Sequence, residues 1–217
     1  MQQRVSPAVA DAAVCKAAAD WLDQFEAALA ADDFEAAAGL FVADGHWRDV
    51  LAYTWHLHTF TGRNAIVRAL AADAQRTAAH GFELNSDRTP PRHVVRSGTQ
   101  TVESIFRFET TLGRCSGLLR LVADPQRPDQ WLAWTLSTTL DEIKGHEERR
   151  GSRRPKGDNY ARRFGAPNWL DDRVGAQRYQ DHEPAVVVVG GGQAGLAIAA
   201  RLGQLGVDTL VVDRNER

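Results

Sequence analysis

The sequence predicts two folds in succession: an α+β domain over residues 11–145, and the first β–α–β unit of a parallel α/β domain over residues 184–217. Two observations favour this division. Apolar residues recur at helical spacing early in the chain and alternate with polar residues between about 100 and 140. Near the end, an unbroken valine run precedes a glycine-rich turn and an apolar helical stretch.

Two helices are predicted at the start of the α+β domain. The first covers residues 11–30, and its apolar residues share one helical face: Val14, Ala18, Trp21, Leu22, Phe25 and Leu29. The second is predicted to start near Asp32, because Glu35 follows three residues later as in a capping box. We expect Gly45 to end this helix, whose apolar face comprises Phe34, Ala37, Ala38 and Phe41.

One strand is predicted next, in the aromatic-rich segment after Gly45, and then a third helix after Gly62. Strand-like alternation follows along three runs: Val102 to Glu109, Leu118 to Val122, and Leu132 to Leu140 with Trp134 and Leu136. We expect these strands to pair as a curved antiparallel sheet that wraps around the helices and leaves a conical cavity. Residues 1–10 are interpreted as an N-terminal tail.

Residues 146–183 are predicted to be a charged linker between the two folds. Seven basic residues and one acidic residue, Asp158, lie between Arg149 and Arg163, among prolines and glycines. A phosphate or nucleic-acid contact is the alternative interpretation. It is disfavoured because aromatic residues are not interleaved at the spacing that stacking on bases needs.

Composition excludes several classes of function. The formal net charge of −2 gives no reason to expect a nucleic-acid or membrane partner. No apolar stretch approaches the ~18 residues of a membrane span, and two cysteines cannot form a disulfide framework. We therefore expect a cytoplasmic protein. No metal site is predicted, since His56 and His58 have no third ligand nearby.

The glycine-rich turn carries the chemistry of nucleotide binding. Gly190 permits a tight turn after the strand Val186–Val189, Gly192 lets the backbone approach a pyrophosphate, and Gly195 lets the helix pack closely on the strand. The helix over Leu196–Leu205, ended by Gly206, would present amide groups and its positive dipole end to that anion.

A second strand is predicted over Val207–Val212, and Asp213 at its end is placed to bind ribose hydroxyls. We predict a cofactor-binding set of Gly190, Gly191, Gly192, Gln193, Ala194, Gly195, Asp213 and Arg214.

The α+β domain resembles the fold shared by ketosteroid isomerase, nuclear transport factor two and the small polyketide cyclases. The likeness rests on element order and on the segment that contains Phe41, Trp47, Asp49, Trp55, Gly62 and Ile66. Together with this domain, a further passage resembles flavin-containing monooxygenases of bacteria and fungi that carry such an N-terminal extension. The passage consists of Arg154-Pro155, Gly157, Asn168-Trp169-Leu170-Asp171, Glu183-Pro184 and the glycine turn.

This second resemblance implies a Rossmann-type domain whose first glycine loop holds FAD. It also implies reduction by NADPH and oxygenation of a small-molecule substrate at nitrogen, at sulfur or beside a carbonyl. The 217 residues contain no second glycine loop for NADPH and no third strand of the FAD-binding half. We therefore expect an N-terminal fragment that is inactive alone, and we assign no catalytic residue.

Two alternatives place the function in the α+β domain itself. One is an isomerase or dehydratase that uses an acid and an imidazole in an aromatic pocket, with His46, Asp49, His56 and His58 as candidates. The other is a dimerisation or docking module that forms a homodimer through its open sheet face. The sequence does not separate these alternatives.

Overall fold

The computed structural model describes residues 11–127, 129–149, 151–153, 170–171, 174–175 and 178–214. The chain divides into two compact units, Met1–Lys144 and Gly145–Arg217. The predicted tail lies outside the described residues, and so do Arg154, Pro155, Gly157, Asn168 and Trp169 of the passage that resembles monooxygenases.

Among its described residues, the first unit contains three helices: α1 (Ala12–Ala30), α2 (Phe34–Gly39) and α3 (Arg63–Thr77). The first helix confirms its prediction, since all six residues of the predicted apolar face are buried. The second helix starts near Asp32, as predicted, but the predicted capping residue and the predicted end at Gly45 were wrong. Asp33, not Asp32, caps α2 by accepting a hydrogen bond from the Ala36 amide, and the helix ends at Gly39. Phe41 consequently belongs to a strand.

Seven strands of the first unit form one sheet: β1 (Phe41–Val50), β2 (Leu57–Thr61), β3 (His80–Leu84), β4 (Arg92–Arg96), β5 (Thr99–Glu109), β6 (Gly113–Ala123) and β7 (Trp131–Ile143). Their order is β2-β1-β7-β6-β5-β3, and β4 pairs with β5. The sheet is mixed, not antiparallel throughout, because β1 runs parallel to β7. A hairpin, β1–β2, replaces the single strand predicted before α3.

Gly45 does not end a helix; it lies within β1, where the register against β7 shifts between Phe41 and His46. A Cβ atom at Gly45 would lie 3.0 Å from the Val42 carbonyl oxygen and 3.1 Å from that of Ala133. Glycine therefore allows a close approach at a bulge, and bulges of this kind bend a sheet.

A second register shift separates the two ends of β7. Arg120 faces Thr135 but Leu121 faces Ala133, so Trp134 is the extra residue. The strict alternation predicted from Leu132 to Leu140 fails here. Ala133 joins Leu136 in the hydrophobic core, and Trp134 does not.

Aromatic side chains fill much of the interior between the helices and the sheet. Trp21 stacks on Phe25 at 5.1 Å between ring centroids, and the Trp21 indole donates a hydrogen bond to the Leu40 carbonyl. Phe82 stacks on Phe108 at 4.8 Å. Phe25 packs edge-on against Phe82 at 5.6 Å, and this contact joins α1 to the sheet.

The second unit contains the predicted β–α–β arrangement: β8 (Val186–Val189), α4 (Gln193–Gln204) and β9 (Thr209–Val212). Strands β8 and β9 are parallel and pair along their whole length. Much of the apolar surface is exposed: Val187 is 52%, Val189 85% and Ile198 53% accessible. The unit thus exposes apolar faces that a larger sheet would cover.

Candidate cofactor-binding site

The glycine turn leaves β8 at Gly190, whose φ of +103° lies in the region that favours glycine. The Gly190 amide donates to the carbonyl oxygen of Val212 at 2.7 Å, and the Gly191 amide donates to Asp213 Oδ2 at 2.6 Å. Both bonds join the turn to the end of β9. Three residues of the predicted set are therefore held together at one edge of the two-stranded sheet.

Helix α4 begins at this turn with an open N-terminus. Gly192 is its N-cap, with extended backbone, and no described side chain caps the helix by a hydrogen bond. Within the described part of the chain, a Cβ atom at Gly192 would have no heavy atom within 4 Å. Gln193 and Ala194 form the exposed first turn. The amide groups of this turn are accessible to an anion, as a pyrophosphate site requires.

Gly195 has a different role from Gly192. A Cβ atom here would lie 1.9 Å from the Gly190 carbonyl oxygen and 3.3 Å from Val188 Cγ1. Such a contact is too short for any side chain larger than hydrogen. The absence of a Cβ therefore lets α4 pack against the turn and β8.

Asp213 and Arg214 directly follow strand β9. They line an open pocket of about 470 Å³ together with Val189, Gly190 and Val212. The Asp213 carboxylate thus lies beside the glycine turn at the carboxyl end of β9, the position from which an acid reaches a ribose. All eight residues of the predicted set are at the turn, the start of α4 or the end of β9.

In the alternative acid–imidazole site, the described partners of the Asp49 carboxylate are backbone amides and hydroxyls, not histidines. Asp49 is fully buried, and its carboxylate accepts hydrogen bonds from the Tyr53 and Thr54 amides and from the Thr54 and Thr138 hydroxyls. The Trp47 indole in turn donates to Thr138 Oγ1. Asp49 therefore anchors the turn after β1 to β7, and its hydrogen bonds fit a structural carboxylate better than a general base.

Asp49 faces His58 in the β1–β2 register, but none of the three candidate histidines hydrogen-bonds to its carboxylate among the described residues. His46 bonds to the Thr61 hydroxyl through Nδ1 at 3.0 Å. His56 is exposed in the turn before β2, and His58, also exposed, packs on Phe60 with 4.4 Å between the ring centroids. Within the described ranges, no cluster of three or more potential metal ligands occurs.

One contact of the second unit was not predicted. Glu148, which is buried, pairs with Arg201 on α4, and the Arg149 amide donates to the Gln204 carbonyl oxygen at 2.9 Å. The Arg149 guanidinium lies over Gly206, just after the end of α4. The start of the predicted linker is therefore attached to the carboxyl end of α4. A separation of more than 50 residues leaves no local signal for such a contact.

Comparison with known proteins supports the nucleotide site. Residues 183–217 match the family model described as FAD binding domain. The match covers β8, the glycine turn, α4, β9 and Asp213. No curated protein shows a significant match to the sequence.

Several solved structures resemble the first unit at low identity. An NTF2-like protein with a cystatin-like fold from Novosphingobium aromaticivorans is 19% identical over 58% of this chain and 80% of its own, with a TM-score of 0.37. Aln2 from a Streptomyces species is 18% identical over 62% and 95%, with a TM-score of 0.45. ActVI-ORFA from Streptomyces coelicolor is 18% identical over 56% and 92%, with a TM-score of 0.39.

These scores are low, and the fold of the first unit follows from its own strand order and helices. The first unit is thus an α+β domain with helices packed on one mixed sheet, and the second contains a β–α–β unit that matches the model of an FAD binding domain. No helix among the described residues has the length and apolar character needed to cross a membrane.

Proposed function

We propose that β8, α4 and β9 bind the adenosine pyrophosphate half of FAD in a flavin-dependent oxidoreductase. The observation that carries this proposal is the open amino end of α4 at Gly192, inside a segment that matches an FAD-binding domain. The amides of Gly192, Gln193 and Ala194 would bind the pyrophosphate. Asp213 would bind the ribose, and the Gly190 turn would place both groups at one edge of the sheet.

FAD, when bound, supplies two-electron redox chemistry, and the protein contributes its binding and orientation. Gly195 contributes indirectly, because it holds α4 close to the turn. The exposure of the Val187, Val189 and Ile198 side chains supports a larger domain in which other elements pack on them. We propose that further strands and helices of the FAD-binding domain cover these side chains.

More specifically, we propose that this oxidoreductase is an NADPH-dependent monooxygenase that acts on a small molecule. Its support is the resemblance of the glycine turn and of Glu183-Pro184 to flavin-containing monooxygenases. We assign none of the described residues to NADPH or to the oxygenation step. The hydrogen bonds that saturate the buried Asp49 carboxylate favour a docking or dimerisation role for the first unit over a separate catalytic one.

Titration of the ¹⁵N-labelled chain with ADP tests the proposed site directly, because ADP carries the pyrophosphate, ribose and adenine of FAD. We expect the amide signals of Gly191, Gly192 and Ala194 to shift on addition of ADP. Gly192→Val should abolish these shifts, because its side chain fills the space in front of the helix. Gly203→Ala on the same helix is the control and should bind like wild type. ADP-dependent shifts that persist in Gly192→Val would refute the assignment.

A further inference from the structure

Three arginines bind one carboxylate on the outer face of the sheet. Glu103 on β5 faces outward, because its neighbour Val102 belongs to the hydrophobic core. Arg120 on β6 donates to the Glu103 carboxylate at 2.8 Å, and Arg92 on β4 donates to it at 3.1 Å. Arg96 on β4 donates to both carboxylate oxygens. The three guanidinium groups therefore meet at one point of this face.

This cluster carries an excess of positive charge. Hydrogen bonds from Arg96, and then from Arg120 and Arg92, lower the pKa of Glu103 to about 2 against the opposing effect of burial. Arginine stays protonated in proteins, so three positive charges and one negative charge give a net charge of +2. Among the described residues, Glu103 is the only acid within ion-pair distance of these arginines. The arginine side chains are 27–50% exposed, so an anion can approach them from solvent.

An open groove of about 750 Å³ runs along the same face of the sheet. Val122, which lines it, is two residues from Arg120 on β6, about 7 Å away along the same face. Thr99 also lines the groove, and it pairs with Arg96 in the β4–β5 register. The groove therefore adjoins the arginine cluster. Its volume falls within the range of about 300–1,000 Å³ that is usual for sites of small molecules.

The bulge in β7 gives this groove an aromatic wall. Trp134 is the extra residue of the bulge and lines the groove, whereas Ala133 before it belongs to the core. Bulges often redirect a side chain in this way. The indole of Trp134 is half-buried, so part of its apolar surface faces the groove. A planar ring of a ligand would cover that surface and remove it from water.

The other charges along the groove are balanced. Asp124 pairs with Arg127 at 3.2 Å. On the β1 side, Arg63 and the exposed Asp44 carry opposite charges, and Arg63 donates to the Phe41 carbonyl oxygen. The excess of positive charge therefore lies at the β5–β6 side of the groove, next to the arginine cluster.

We propose that this face binds a small phosphate monoester that carries an aromatic ring. The ring lies on Trp134 in the groove, and Arg96 and Arg120 bind the phosphate. A phosphate monoester has close to two negative charges at neutral pH, which match the net charge of the cluster. The planar guanidinium group binds phosphate oxygens through paired N–H donors. The site lies in the first unit and is independent of the proposed FAD site.

Three probes test the proposal on the ¹⁵N-labelled 217-residue chain at about pH 8, where phosphate monoesters are dianions. The probes are phenyl phosphate, benzoate, which keeps the ring but has one charge, and inorganic phosphate, which has no ring. We expect phenyl phosphate to shift the amide signals of Thr99 and Val122 and the indole signal of Trp134. It should bind at least about fivefold more tightly than either other probe, because only phenyl phosphate combines ring burial with a double charge.

Two outcomes of this titration would overturn the site. One is the absence of any shift at Thr99, Val122 and Trp134. The other is a set of shifts confined to Gly192 and Ala194, which would show that phenyl phosphate binds only at the amino end of α4.

Substitution of the arginines tests the phosphate contact. Arg96→Gln and Arg120→Gln should each weaken phenyl phosphate binding at least about tenfold, because charge-assisted hydrogen bonds are lost. Arg96→Lys keeps the charge but loses the planar fork, and should weaken binding by a smaller factor. Arg107→Gln is the matched control on β5, since Arg107 pairs with Glu83 and is 48% exposed, and it should bind like wild type. Wild-type affinity in all the cluster variants would overturn the role of the arginines.

Trp134→Ala isolates the contribution of the ring. It should lower the affinity for phenyl phosphate to about that for inorganic phosphate, and leave inorganic phosphate binding unchanged. Trp55→Ala is the control, because Trp55 is 41% exposed in the turn between β1 and β2 and does not line the groove. The amide spectrum of each variant checks that the first unit is folded. Wild-type affinity for phenyl phosphate in folded Trp134→Ala would contradict the proposed site.

Discussion

The carboxylate of Asp213 accepts a hydrogen bond from the backbone amide of Gly191, with 2.6 Å between Oδ2 and the nitrogen. The two residues lie 22 positions apart, at the end of β9 and in the turn after β8. The acid proposed to bind ribose therefore also holds the glycine turn in place. This contact links the two elements of the proposed FAD site before any cofactor binds.

The first prediction concerns this contact. Asp213→Ala should speed hydrogen exchange at the Gly191 amide by about tenfold or more, because a hydrogen bond to a charged group is lost. Asp213→Asn keeps an acceptor oxygen at the same position and should have a smaller effect. Exchange measured residue by residue by NMR checks both variants. An unchanged Gly191 rate in Asp213→Ala would show that the bond contributes no protection.

The second prediction distinguishes two glycines of α4. Gly195→Ala should destabilise the β–α–β unit by about 1–3 kcal/mol, the usual range for overpacking, because its Cβ would overlap the Gly190 carbonyl oxygen. Gly203→Ala adds a Cβ with no described atom within 4 Å and should stabilise the helix by up to about 1 kcal/mol. Amide exchange along α4 measures both effects. Similar exchange in the two variants would contradict the packing role of Gly195.

The third prediction treats Asp49 as a structural acid. Asp49→Ala leaves the Tyr53 and Thr54 amides and the Thr138 hydroxyl without their acceptor, and each buried unpaired group costs about 1–3 kcal/mol. We expect a loss of several kcal/mol in the free energy of unfolding of the first unit. Urea unfolding followed by tryptophan fluorescence measures it. Asp44→Ala, at an exposed position of the same strand, should change stability by less than about 0.5 kcal/mol.

Local patterns in the sequence predicted much of this structure. Helical spacing identified the buried face of α1, and the glycine spacing identified the turn, the helix start and Asp213 as one region. These features depend on residues close in sequence, or on a motif whose geometry is nearly fixed.

The features that the sequence missed depend on long-range pairing. The parallel contact of β1 with β7 joins segments about 90 residues apart, and periodicity does not reveal strand partners. A glycine after a helical pattern usually marks the end of the helix. Gly45 instead occupies a bulge in β1, because Ala133 of β7 approaches it closely. The role of Asp49 was equally hidden, since its Thr138 partner is 89 residues away.

The last prediction concerns a buried acid on the outer side of the sheet. Glu103 on β5 accepts hydrogen bonds from Arg96, Arg120 and Arg92, and only 7% of its side chain is exposed. The bond from Arg96 contributes most, and with those from Arg120 and Arg92 it lowers the pKa of Glu103 to about 2, against the opposing effect of burial. The folded chain thus strongly favours the ionised carboxylate.

The sign of the pH effect follows from this lowered pKa. An acid whose pKa falls from 4.5 in the unfolded chain to about 2 in the folded one stabilises the fold above about pH 4.5. That contribution disappears as the pH falls from 4.5 towards 2. Glu103→Gln should therefore destabilise the first unit by about 2 kcal/mol at pH 7. Its difference from wild type should shrink steadily below about pH 4.5.

Urea unfolding at a series of pH values from about 7 to about 3 measures this difference. Glu83→Gln is the matched control, because Glu83 pairs with Arg107 on the same sheet while 59% of its side chain is exposed. Exposed ion pairs contribute at most about 1 kcal/mol, so this variant should track wild type closely. A constant difference between Glu103→Gln and wild type across the whole range would mean that ionisation of Glu103 does not contribute. The three arginines would then stabilise the sheet through packing of their side chains alone.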